Sequence, residues 1–170
     1  MTFVARLRAV SAPDHDRVDA LFGGYRLDEP ESYARFLLAH ARALPAAEAA
    51  LAAAPELPPW RTRRDLLATD LAALGRPVPA PLAFAAEGAA AWGLLYVTEG
   101  SRLGGAMLAR SVPPHLPSAY LAARHARGEW KRTLEEIETR AAAEDEAWRD
   151  EALAGARAGF QLYEAAVETN

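Results

Sequence analysis

Apolar residues recur along this chain every three or four positions, and the strict alternation that marks a half-buried strand is nearly absent. Val4, Leu7, Ser11, Val18, Leu21 and Phe22 share one helical face, and the stripe stops at Gly23-Gly24. Pro30, a good first-turn residue behind Asp28 and Glu29, opens a second helix with Tyr33, Phe36, Leu37, His40 and Leu44 as its inner stripe. Pro45 predicts a kink or an end to the first half of that helix. Pro55, Pro58 and Pro59 mark a loop. Trp60, Leu67, Leu71 and Leu74 then predict a third helix, closed by Gly75 and the prolines at 77, 79 and 81. A fourth begins near Pro81 and runs from Phe84 through Arg110, with a turn at Pro113, Pro114 and Pro117. Trp130, Leu134, Ile137 and Ala141 mark a fifth helix, and Trp148, Ala152, Ala156, Phe160, Tyr163 and Val167 a last one. The pattern predicts an all-α, single-domain bundle of six or seven helices over residues 1–170, with no internal repeat or linker.

Composition sharpens this picture. At 170 residues the chain is long enough for one full-sized core. Much of the 51% hydrophobic content is alanine, a strong helix former and a poor core filler, so the helices must pack backbone close to backbone. The net charge is −4, from 19 basic and 23 acidic residues that are interspersed. No basic stripe suits nucleic acid, and no polybasic run suits an anionic membrane. With no cysteine, disulfides and thiolate-ligated metals are excluded. The start of the chain lacks the apolar core of a signal peptide, and no stretch reaches the roughly 20 apolar residues of a membrane span. Cytoplasmic residence is the expectation.

The fourth helix is unusually rich in glycine: Gly88, Gly93, Gly100, Gly104 and Gly105. Each glycine inside a helix costs about 1 kcal/mol against alanine. Without Cβ, glycines allow a helix to bend and let its backbone approach something large and flat. The same Gly-x-x-x-Gly spacing also serves tight packing between helices, and spacing alone leaves both readings open. The longer run Leu94-Leu95-Tyr96-Val97-Thr98-Glu99-Gly100-Ser101-Arg102-Leu103-Gly104-Gly105 resembles the distal helix of bacterial heme oxygenases, particularly the type that makes bilin for phytochromes. That resemblance implies an all-α heme oxygenase-like fold in which the glycines lie over one heme face. Ser101 stands where animal members carry an aspartate that organises water, and a serine hydroxyl can still donate or accept.

A second motif comes earlier in the chain. The segment from Leu7 to Asp19, with Arg8, Ser11, His15 and Asp19 in register, resembles the family's Leu-Arg-x-Ala-Thr-x-x-x-His-x-x-x-acid pattern. The resemblance implies that His15 ligates heme iron axially and that Asp19, one turn on, holds its ring N–H. Pro13 belongs in a helix's first turn, which predicts a start or restart at Ser11 or Ala12 with Ser11 as N-cap. His40, on an apolar stripe, reads as a core histidine, and no Glu-x-x-His suggests a di-iron bundle. Arg8 matches a basic family position, and Lys131 and Arg132 lie in a cluster near the fifth helix; these are the candidates for the heme carboxylates. Tyr33 to Leu37, Trp130 and Gly159 to Glu164 extend the resemblance over nearly the whole chain.

Taken together, the two motifs imply, by resemblance, a bacterial heme oxygenase. Heme is then both substrate and cofactor, bound by Arg8, His15, Asp19, Lys131 and Arg132, with Gly100, Ser101, Gly104 and Gly105 at the site of reaction. O2 and electrons from a separate reductase or ferredoxin open the ring to biliverdin, CO and iron; no nucleotide fingerprint suggests an internal donor. A bilin-accepting photoreceptor is a further partner by that resemblance. Two rival readings are a heme- or bilin-binding carrier or sensor on the same fold, and a helical interaction module in which the glycines serve packing alone.

Overall fold

The computed structural model describes residues 1–168 and contains, among them, seven α-helices and no strand. These are α1 (Phe3–Phe22), α2 (Pro30–Ala53), α3 (Arg64–Ala73), α4 (Gly88–Leu108), α5 (Ala119–Ala122), α6 (Glu129–Ala143) and α7 (Glu146–Glu168). A 3-10 turn at Ala109–Ser111 extends α4. All six expected helices are present, and the four-residue α5 is an addition too short to carry a periodic stripe.

Several boundaries differ from expectation, each for a local reason. Instead of restarting at Ser11 or Ala12, α1 runs unbroken from Phe3 with Pro13 inside it. Its start is capped elsewhere: the Thr2 hydroxyl accepts Ala5 N–H, and the Glu138 carboxylate of α6 accepts Phe3 N–H and Val4 N–H at 2.9 Å each. Ser11 is buried and donates its hydroxyl back to the Leu7 carbonyl at 2.7 Å, so it is no N-cap. Pro45 does not end α2, which continues to Ala53. One carbonyl in the turn before Pro45, that of Arg42, accepts Leu82 N–H from outside the helix at 2.9 Å. Trp60 precedes α3 instead of opening it, because α3 begins after Arg63. The prolines at 79 and 81 keep residues 81–87 irregular, and α4 starts only at Gly88, whose φ of +52° is open to glycine at little cost.

The pairing of α4 with α7 forms the centre of the bundle, and α7 also packs on α1 and α2. Two glycines make that crossing possible. A Cβ on Gly93 would lie 1.8 Å from the Ala152 carbonyl oxygen, and one on Gly155 would lie 2.1 Å from that of Ala90. Backbones meet here with nothing between them, as the alanine-rich composition requires. Around this crossing lie two apolar clusters, one built on α2 with Leu94, Leu95 and Leu162, the other on Phe3, Leu7, Trp92, Ile137 and Leu153. By contrast, α1 and α4 scarcely touch each other directly. The gap between them is the site.

Candidate functional site

A cavity of about 290 Å³, half open to solvent, occupies this gap. From α1 it receives Arg8, His15 and Asp19; from α4 it receives Gly100, Ser101, Gly104 and Gly105. These residues are far apart in sequence, and the fold brings them to one space. Val18, Phe22, Phe36, Val97 and Phe160 give it apolar walls.

On the α1 side, His15 is 55% exposed. Its Nδ1 lies 3.4 Å from an Asp19 carboxylate oxygen and 3.8 Å from one of Asp16. One helical turn separates His15 from Asp19, which places the two side chains on the same face. Nδ1 thus faces acid, and Nε2 is the nitrogen free to meet a ligand. The ring also stands edge-on to Phe160 of α7, with centroids 5.6 Å apart.

On the α4 side the glycines divide by role. A Cβ on Gly104 would meet no heavy atom within 4 Å, although the residue sits in mid-helix and lines the cavity. A Cβ on Gly100 would meet only the Trp130 ring, at 3.4 Å, and one on Gly105 would meet Leu121. Packing therefore explains Gly93 and Gly155 and does not explain Gly104. The helix is continuous through all three glycines.

Ser101 is already engaged. Its hydroxyl donates to the Thr98 carbonyl at 2.6 Å and accepts from the Arg63 guanidinium at 2.7 Å. Arg63 is buried, also donates to the Thr98 carbonyl, and lies over the Tyr120 ring. It belongs to a polar inner wall that no sequence motif announced, formed with His40, Tyr120 and Tyr163. His40 Nδ1 is 2.6 Å from the Tyr120 hydroxyl, so this residue is partnered as expected but lines the cavity instead of filling the core. Burial, helped by the Arg63 charge, lowers the His40 pKa to about 3, and the imidazole is neutral near pH 7. Burial pushes the Tyr120 hydroxyl up to about 12 and that of Tyr163 higher still. Tyr163 OH and Arg63 Nε are buried without a hydrogen-bond partner. Each wall residue comes from a different element, which is why no linear motif revealed them.

The cationic candidates separate. Arg8 lines the cavity. Lys131 and Arg132 do not: both are exposed on α6, and Lys131 Nζ is 3.6 Å from Glu135. Trp130 is the α6 residue turned inward, and the next two positions rotate away by about 100° each. Behind Trp130, His125 stacks on its ring at 5.5 Å and approaches the buried Glu99–Arg102 pair. Burial lowers the His125 pKa against the opposing pull of Glu99.

The all-α fold thus sets a histidine helix and a glycine helix on either side of one part-apolar cavity. Comparison with known proteins is specific. A heme oxygenase of Xanthomonas campestris pv. campestris (strain 8004) is 37% identical over 110 residues, which cover 59% of this chain and 66% of that relative. The matched stretch thus spans just under two thirds of the relative's length. The heme oxygenase from Neisseria meningitidis, solved in NO- and CO-bound forms, superposes with a TM-score of 0.80 at 28% identity, over 99% of this chain and 92% of that one. No protein-family model matches. In sequence and in fold the chain is similar to heme oxygenases.

Proposed function

We propose that this chain binds heme in the α1–α4 cavity and cleaves it to biliverdin, CO and iron, using O2 and electrons from a separate reductase or ferredoxin. One observation carries the reading. Opposite a histidine whose Nδ1 faces a carboxylate, a mid-helix glycine lines the cavity with no heavy atom within 4 Å of its missing Cβ. The residues fit heme: an imidazole for iron, apolar rings for the macrocycle, an arginine at the cavity for a carboxylate, and bare backbone where a planar ring must come close. Heme, when bound, supplies the iron that activates O2 and is itself the molecule cut.

The chain's own residues have distinct tasks in this reading. His15 offers Nε2 while Asp19 holds Nδ1–H, fixing tautomer and ring orientation. Gly100 and Gly104 would present bare backbone to the bound macrocycle and leave the space beside it open. Arg63 presents guanidinium N–H groups along the inner wall and uses one of them to fix the Ser101 hydroxyl. With its hydroxyl proton given to Thr98, Ser101 acts as an acceptor. Proton supply then falls to the Tyr120 and Tyr163 hydroxyls, which burial keeps protonated, and to the Arg63 N–H groups, with the neutral His40 imidazole beside Tyr120 as a relay. Arg8 pairs a heme carboxylate. Lys131 and Arg132, outside the lining, serve at most as outer carboxylate partners near the α6 end of the site. Ser101 in place of an aspartate supports the bilin-supplying bacterial type, with a photoreceptor as acceptor of the product.

Hemin titration tests the binding step. The apoprotein should take up one equivalent with a sharp Soret band, and His15→Ala should lose the axial imidazole signature while remaining folded. Weak, unsaturable binding by the wild type would refute the proposal. Saturable binding without ring opening would favour a heme carrier.

A further inference from the structure

We infer that Asp14 is a positioning residue for His15, its buried carboxylate locking to α7 the turn of α1 that presents the ligand. The inference rests on the reading of His15 as the iron ligand.

Carboxylates are rarely buried unless paired. Asp14 is 1% exposed, and two arginines share its oxygens. Arg157 of α7 donates from Nε at 2.8 Å to one oxygen, and Arg17, one turn along α1, donates to the other. Arg17 also lies 3.8 Å from Glu164, a second α7 anchor. The guanidinium side chains are 47% and 50% exposed, so the cations keep water while the carboxylate does not. This arrangement favours a fixed carboxylate more than a mobile surface pair.

Its place in the chain gives the clamp its purpose. Pro13 has no N–H for the Ala9 carbonyl, and the Ser11 hydroxyl bonds back to Leu7 in the turn before. Both features weaken or bend a helix, and both come immediately before His15. Asp14 ties the chain down at the first residue beyond the proline. Neighbouring helical residues point about 100° apart, so Asp14 can face α7 while His15 faces the cavity. Arg157 and Phe160 are three apart on α7 and share a face; one grips Asp14 and the other meets the His15 ring at 5.6 Å. The clamp therefore sets the rotation of α1 about its own axis, and with it the aim of Nε2.

A purely structural staple would give a different result, and α1 supplies the control. Arg6 also bridges α1 to α7, through Glu146 and Asp150, more than two turns from His15. The experiment compares Asp14→Asn, Arg157→Ala and Arg6→Ala, each loaded with hemin. Resonance Raman of the ferrous form reads the iron–imidazole stretch, and transfer to apomyoglobin reads hemin dissociation. Asp14→Asn and Arg157→Ala should shift or broaden the stretch and speed dissociation by about tenfold. Arg6→Ala should lower the melting temperature and leave both readouts unchanged. Should Asp14→Asn fail to fold, Arg157→Ala, altered at a half-exposed side chain, decides the question alone. An unaltered stretch and rate in Arg157→Ala would overturn the inference. Absence of an iron–imidazole stretch from the wild type would overturn the heme reading itself, and this inference with it.

Discussion

Replacing glycines of α4 and α7 one at a time by alanine should separate those that pack from those that line the cavity. A Cβ on Gly104 meets nothing within 4 Å, so Gly104→Ala adds no clash and removes a poor helix former. The apoprotein should become more stable by up to about 1 kcal/mol, or roughly 2–4 °C in melting temperature for a chain of this size. Gly93→Ala gains the same propensity but places Cβ 1.8 Å from the Ala152 carbonyl oxygen and 2.6 Å from Ala156 N. Backbone cannot swing aside as a side chain can, so α4 and α7 must separate along their crossing. Overpacking against backbone this close falls at the upper end of the usual range, about 3 kcal/mol, leaving a net loss of about 2 kcal/mol after the propensity gain of about 1 kcal/mol. Gly155→Ala, 2.1 Å from the Ala90 carbonyl oxygen, should behave like Gly93→Ala. Thermal and urea unfolding of the three apoproteins, followed by far-UV circular dichroism, gives the comparison. The bulky Gly104→Phe should also fold while losing the hemin Soret band. A Gly104→Ala protein destabilised by 1 kcal/mol or more, about what one glycine costs in a helix, would refute the claim that Gly104 faces open space.

The inner wall and the helix caps give two further outcomes. His40 is held near 3 in the fold against about 6.5 when unfolded, so the unfolded chain takes up the proton that the folded chain refuses. Its contribution is complete above about pH 6.5 and lost as pH falls toward 3, by up to about 1.4 kcal/mol per pH unit. Burial raises Glu48 and Asp70, whose contributions run the opposite way, so the wild type must be compared with His40→Gln in urea melts from pH 7 to 4. Parallel pH profiles would show that His40 is not a buried neutral imidazole. Glu138→Ala removes the acceptor of both Phe3 N–H and Val4 N–H and should cost about 1–2 kcal/mol in urea unfolding, with Glu138→Gln recovering part of it. No loss in Glu138→Ala would mean that water caps α1 equally well.

The residues show which parts of the molecule a one-dimensional pattern reaches. Stripes such as Tyr33–Phe36–Leu37 and Ile137–Ala141 specified their helices because each buries a face, and burial imposes its period on the sequence. Boundaries set by tertiary partners were not visible in this way. The capping of α1 by Glu138 crosses 135 residues, and Pro45 is accommodated in a helix that neighbours on both sides hold in place. In the site, His15, Asp19 and the glycines fell within short spacings and could be found. His40, Arg63, Tyr120 and Tyr163 come from four separate elements, and each was hidden in an otherwise apolar or loop-like context. A polar residue within an apolar stripe, as His40 is, was the one available signal. Lys131 and Arg132 were drawn to the site as a basic cluster in a region where the family resemblance expects cations, and helical rotation turns them outward.

Turnover at this cavity is tested most directly by single-turnover absorbance spectroscopy of the heme-loaded wild type. With ascorbate or a reductase and O2, the Soret band should decay as biliverdin absorption rises, with chromatography confirming one biliverdin isomer per heme consumed. A Soret band that persists under those conditions, or that decays without biliverdin, would contradict the claim.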